Sequence, residues 1–185
     1  MPYEPPPEIA GLSLAQIAEL VEARKLPPLD KWSPQVAGDS EMRIAADGRW
    51  YHQGGEIRRP AMVRAFASLL MRDERGQHWL VTPTQKLSIE VEDAAFLAVD
   101  VRQDGDGLAF LLNSDDLVIA GPEHPLRAAG DADTPSIYLA VRHGTEARLN
   151  RSTWAQLAEI ALAGNDSGKG ISVSSRGVTF PLLPA

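Results

Sequence analysis

The sequence contains no cysteine among its 185 residues. Disulfides, cysteine nucleophiles and thiolate metal centres are therefore excluded, and the chain is compatible with a reducing compartment. No apolar run approaches the roughly 20 residues that span a bilayer. The first seven residues, Met1 to Pro7, have neither a basic start nor an apolar stretch, so they do not read as a signal peptide. The expectation is a soluble, cytoplasmic chain with no membrane partner. Cations are in deficit, with 18 Lys and Arg against 25 Asp and Glu and a net charge of -7. Proteins that grip nucleic acid do so by neutralising phosphates with Lys and Arg, so no nucleic-acid partner is expected. The chain also lacks G-x-G-x-x-G, G-x-x-x-x-G-K-[ST] and G-x-S-x-G, the fingerprints of dinucleotide binding, the P-loop and a hydrolase nucleophile. Its four histidines (His52, His78, His124, His143) are dispersed without ligand spacing, so no metal is expected, and the sequence leaves any cofactor unknown.

What is present suits a packed core: 44% of residues are apolar and 23% charged, which argues against global disorder. The charge is uneven. Glu56 to Arg75 holds five arginines against three acids, whereas Gln85 to Asp116 holds Lys86 and Arg102 against eight acids. Such neighbouring runs can pair with each other inside one protein.

Along the chain, residues 1–10 read as an arm. Ser13 and Gln16 have capping-box spacing, and Leu14, Ile17, Leu20 and Val21 form an apolar helical face that Pro27 and Pro28 end. Residues 29–40 show no period and read as irregular. Met42 to Gln53 reads as a hairpin around Asp47-Gly48, expected as a type I′ turn. Pro60 suits the first position of a helix that runs to about Arg72. His78 to Thr82 and Leu87 to Val91 read as strands, followed by Phe96 to Val101 and Leu108 to Leu112 around Asp104-Gly105-Asp106-Gly107, and by Leu117 to Ala120. Residues 121–134 read as a polar loop. Ser136 to Arg142 and Thr145 to Leu149 pair across His143-Gly144. Ser152 caps a helix to about Ala163, with Trp154, Leu157, Ile160 and Ala161 inward. Ile171 to Ser175 and Val178 to Leu182 close the chain.

Residues 42–91 and 136–182 thus share the order strand, strand, helix, strand, strand. The fold class expected is α+β with duplicated strand-strand-helix-strand-strand units. The expected organisation is an N-terminal arm and helix (1–40), a first lobe (41–113) and a second lobe (114–185). Two lobes would bury faces against each other, and the cleft between them is the expected ligand site.

The runs Asp47-Gly48-Arg49-Trp50-Tyr51, Ile57 to Ser68, Leu80-Val81-Thr82-Pro83 with Lys86, Ile89 to Phe96, and Tyr138 to Arg142 with Glu146-Ala147 and Arg151 are specific in this order. Together they resemble a proteobacterial domain-of-unknown-function family, number twelve eighty-five. The resemblance spans roughly Leu29 to Leu182. It implies a two-lobed α+β protein with a duplicated motif and a C-terminal lobe superficially similar to pleckstrin-homology folds. It also implies a nucleotide-like ligand at the lobe interface and a role in signal transduction. Gln85 stands where the family pattern has Glu, and Ala95 where it has Pro.

The ligand contacts expected are Arg59, Lys86, Arg142 and Arg151 for a small anion, with Thr82 and Glu92 as polar contacts. Arg59 and Arg151 each precede a helix, where guanidinium groups and a helix N-terminus favour anions. The rival is an enzyme using Glu90, Glu92 or Asp93 as acid or base, since alternate residues of one strand put carboxylates roughly 7 Å apart. A third reading is a protein-interaction module using strand edges. Asp104 to Gly107 is a turn and not a calcium loop, because the first and last ligand positions fall on Arg102 and Asn113. Of Trp50 and Tyr51, successive strand residues facing opposite ways, one is expected to be structural.

Overall fold

A computed structural model of the chain describes residues 26–164 and 170–185. The helix read at residues 13–25 lies outside the described residues. The chain divides into two compact units. The first runs to Ala95 and takes in Arg142–Thr145; the second comprises Phe96–Val141 and Glu146–Ala185. The boundary expected at residue 113 falls between two strands that hydrogen-bond as neighbours, which is why the chain does not divide there.

In the first unit, a short 3-10 turn at Leu29–Lys31 precedes strands β1 (Val36–Ile44), β2 (Trp50–His52) and β3 (Gly55–Glu56), helix α1 (Pro60–Ala67), then β4 (Leu70–Arg72), β5 (His78–Val81) and β6 (Gln85–Val91). They form one sheet in the order β3-β2-β1-β6-β5-β4, two antiparallel meanders joined by the parallel pair β1–β6. Pro60 occupies the first helical turn and Arg59 is the N-cap with extended backbone, as expected from its missing N–H. The helix stops at Ala67, short of Arg72. Leu69 N–H closes the last turn on Phe66 O, and Leu70 to Arg72 pair with β5 as a strand. Phe66 is fully buried and stacks on Trp50 at 6.3 Å; burying such a ring contributes about 1.5–3 kcal/mol.

In the second unit, β7 (Phe96–Asp104), β8 (Gly107–Leu112), β9 (Leu117–Ile119), β10 (Leu126–Gly130), β11 (Pro135–Ala140) and β12 (Glu146–Leu149) precede helix α2 (Arg151–Gly164) and a separate hairpin, β13 (Ser172–Ser175) and β14 (Val178–Pro181). The sheet order is β10-β11-β12-β7-β8-β9, again two meanders joined by a parallel pair, β7–β12. Asn150, not Ser152, caps α2: its Oδ1 accepts Thr153 N–H at 2.9 Å. Thr153, Leu157 and Ala161 are its buried face.

The chain is therefore α+β with a duplicated sheet, but the copies are 36–91 and 96–149 and not 42–91 and 136–182. One helix lies between the meanders of the first sheet, whereas the other follows the whole second sheet. The loop expected at 121–134 contains β10, and the irregular stretch at 29–40 contains the start of β1.

Candidate functional site

The alternation of β1 sends Met42 and Ile44 into the core of the first unit and leaves Arg43 on the opposite face. In β6, Leu87 and Ile89 are buried while Ser88 and Glu90 face away. Across β2, Trp50 is buried and Tyr51 half-exposed, so Trp50 is the structural member of that pair. The outer face carries a hollow of about 510 Å³ whose walls include Asp39, Glu41, Arg43, Tyr51, Ser88 and Glu90.

The hollow forms where β1 departs from regular pairing. Asp39 lies opposite Ser88 and Arg43 opposite Glu90, so three residues of β1 face one of β6. Such a bulge bends a strand and re-aims its side chains. Glu41 sits inside it at φ 56°, a conformation L residues rarely hold. Ser40 Oγ donates to Ser88 O at 2.7 Å and accepts Met42 N–H at 3.2 Å. Asp39 Oδ1 accepts Glu41 N–H at 2.8 Å. Gln53 donates twice to Glu41, from its backbone N–H at 3.0 Å and from Nε2 to Oε2 at 2.6 Å.

Arg43 crosses one wall. Its guanidinium lies 4.5 Å from the Tyr51 ring centroid and pairs with Glu92 Oε1. Glu92 Oε2 accepts Ala46 N–H at 2.8 Å. Asp39, Glu41 and Glu90 form no salt bridge among the described residues, so the walls carry uncompensated negative charge. No group of three His, Asp or Glu among the described residues could hold a metal ion.

Beside the hollow, Lys86 Nζ lies 4.4 Å from the Trp79 ring centroid. Trp79 Nε1 donates to Asp73 Oδ2 at 3.0 Å. That bond, with the amides of Gln77 and Arg75 and the charge of Lys86, holds the Asp73 carboxyl below its ordinary range.

Of the six expected contacts, Arg59, Thr82, Lys86, Glu92 and Arg142 lie in the first unit and Arg151 in the second. Arg59 is exposed at the start of α1. Thr82 is buried and spends its hydroxyl on the turn, accepting Gln85 N–H at 3.0 Å. Lys86 covers Trp79, and Glu92 holds Arg43 and Ala46. Arg142 Nη2 donates to Ala67 O at 3.5 Å. Arg151 opens α2 and belongs to the second unit. Of the expected acid–base residues, Glu90 alone lines the hollow, and both oxygens of Glu92 are engaged. Sequence reasoning placed Ser88 and Glu90 on one strand face but missed Asp39, Glu41 and Arg43. A two-residue bulge in a segment without periodicity leaves no sequence signal. The large exposed apolar side chains among the described residues are Leu26 and Val36 in the first unit and Leu117 and Leu162 in the second.

Comparison with known proteins concerns the whole chain. Residues 27–94 match the model "Domain of unknown function (DUF1285), N-terminal domain", and residues 95–182 match "Protein of unknown function (DUF1285), C-terminal domain". The junction lies within one residue of the division after Ala95, although Arg142–Thr145, inside the C-terminal match, belong to the first unit. A solved DUF1285 family protein from Silicibacter pomeroyi is 38% identical, with 94% of this chain and 96% of that one covered and a TM-score of 0.78. One from Shewanella baltica is 24% identical, with 64% of this chain and 90% of that one covered and a TM-score of 0.53; it bears on fold alone. No curated protein matches the chain.

Proposed function

Since the chain belongs to the DUF1285 family, we propose that it is a non-enzymatic ligand-binding protein whose site is the hollow at the β1 bulge. The observation that carries this reading is the coincidence of a concavity of about 510 Å³ with strained backbone. A non-glycine residue at positive φ costs about 1–3 kcal/mol and persists where its surroundings hold it. Here five hydrogen bonds hold Glu41 and its neighbours in place. A regular β1 would avoid the strain and would have no hollow.

Binding is favoured over acid–base chemistry because, of the three carboxylates that chemistry would use, only Glu90 lines the hollow and Glu92 is engaged through both oxygens, which leaves no acid and base pair facing one substrate. The nucleotide-like ligand, the signalling role and the pleckstrin-homology likeness of the second unit come from the family resemblance. The signalling role and the pleckstrin-homology likeness are carried here as parts of the proposal, whereas the carboxylates of Asp39, Glu41 and Glu90 that line the hollow disfavour the phosphates of a nucleotide at this place.

The test is thermal unfolding against nucleotides, cyclic dinucleotides, phosphosugars, amines and divalent metals. A ligand at about 100 times its dissociation constant stabilises the fold by about 2.7 kcal/mol, which raises the melting temperature by several degrees. The shift is expected to vanish in Ser88→Phe, whose ring fills the hollow from its exposed strand face. A selective shift that survives this substitution places the ligand elsewhere and overturns the reading.

A further inference from the structure

We propose that Arg43 is an internal occupant of the hollow, and that the ligand class is a molecule bearing a guanidinium or ammonium group that displaces it. This rests on the hollow being the binding site. The Tyr51 ring, which lines the hollow, already holds a cation, the chain's own guanidinium, 4.5 Å from the ring centroid, and Glu92 pairs with that guanidinium from outside the lining. That is the arrangement by which aromatic faces recognise cations, and an adjacent carboxylate adds a charge-assisted hydrogen bond.

The hollow shows which charge an entering group must carry. Asp39, Glu41 and Glu90 line it without a salt bridge among the described residues, and Arg43, its one lining cation, is committed to Glu92. An anion entering here would meet three carboxylates, while a cation would meet them as partners. The Arg43 and Glu92 side chains are 36% and 40% exposed, so solvent screens their pair and it contributes little to stability. An incoming cation can therefore replace Arg43 at small cost. Arg43 would then swing to solvent, and the ring and Glu92 would pass to the ligand.

This makes Arg43 a specificity residue. A ligand must offer a cation able to compete with a guanidinium held on the same chain. A neutral or anionic molecule that displaced it would leave the Tyr51 ring and the Glu92 carboxylate without a cation.

The experiment titrates arginine ethyl ester and lysine ethyl ester into isotopically labelled protein, with AMP and glucose as controls. In the wild-type chain the Arg43 Nε–H resonance is expected to move on addition of either ester and to stay fixed with AMP and glucose. In Arg43→Met, which keeps the length and removes the charge, the esters are expected to bind about two- to fivefold tighter, the scale of one lost cation–π competitor at an exposed site. Glu90→Lys is expected to weaken them in both backgrounds. The proposal is overturned if Arg43→Met binds the esters no better than wild type, or if the Arg43 resonance ignores them. If the esters fail while another ligand's thermal shift is lost in Ser88→Phe, the hollow is the site and its ligand class is not cationic. If no shift is lost in Ser88→Phe, the site itself is wrong.

Discussion

Gly54 and Gly144 share a backbone conformation but not their surroundings. Both lie at positive φ, 81° and 78°. A Cβ on Gly54 would meet nothing within 4 Å, whereas one on Gly144 would come 2.5 Å from Arg72 O. Gly54→Ala then costs only the left-handed penalty, roughly 1–2 kcal/mol. Gly144→Ala adds a clash with a backbone oxygen that no rotamer relieves. Urea unfolding is expected to show the loss at Gly144 to be at least about twice that at Gly54, and equal losses would refute the close approach. His143, beside Gly144, gives a pH signature. Burial lowers its pKa first, the neighbouring Arg142 lowers it further, and Asp30 opposes both. Because the folded state disfavours the charged ring, the stability tied to its neutral form is complete above the unfolded value of about 6.5. It is lost as pH falls through the lower folded value. His143→Asn, which tolerates the positive φ of 51° at this position, is expected to flatten the stability decline on the acid side of pH 6.5. An unchanged slope would remove His143 as its source.

At the scale of elements, hydroxyl groups hold the irregular places together. Ser40 is 3% exposed and joins the β1 bulge to β6. Ser40→Ala leaves the Ser88 carbonyl and the Met42 amide without that oxygen. The expected loss is about 1–3 kcal/mol, the cost of buried unsatisfied groups. It should appear as a lower urea midpoint at unchanged slope, while exposed Ser33→Ala serves as a near-neutral control; a Ser40 loss no larger than the Ser33 one would mean the bulge does not depend on the hydroxyl. Regular elements were legible in the sequence for similar local reasons. Pro60 marked the start of α1, and alternation in β6 sorted Leu87 and Ile89 from Ser88 and Glu90. Asp47-Gly48 marked a hairpin, but its type differed: only Gly48 has positive φ, and its N–H bonds Ala45 O at 2.9 Å. That is a type I turn with a glycine bulge, not a type I′ turn. Leu69 and Leu70 continued the helical spacing of Met62 and Phe66. Pairing of Leu70 with Leu80 overrode it, and this long-range partner is invisible to local periodicity. β10, Leu126–Gly130, has three small residues in five and reads as loop until β11 supplies its partner.

For the whole molecule, the sequence carried the duplication but not its register. A strand-strand-helix pattern matched twice because α1 and α2 each follow a hairpin, yet only α1 lies between the meanders of one sheet. The first unit also draws on sequence far from itself, Arg142–Thr145. Arg72 N–H donates to His143 O at 2.9 Å, Arg142 reaches Ala67 O, and Thr145 is 1% exposed. Cutting the chain after Ala95, one residue past the junction of the two family domains, therefore removes part of the first unit. A fragment of residues 1–95 would leave the Arg72 amide on edge strand β4 without its acceptor, and edge strands with open hydrogen-bonding groups fray and recruit other chains. The fragment is expected to unfold at lower urea than the first unit does in the intact chain. Its Arg72 amide should exchange with solvent faster than the amides of Leu87 and Ile89 in the middle of the sheet, because local opening follows local loss of contacts. Equal protection of Arg72 in fragment and intact chain would show that residues 27–94 are complete without the distant turn, and that the family boundary is also the boundary of folding.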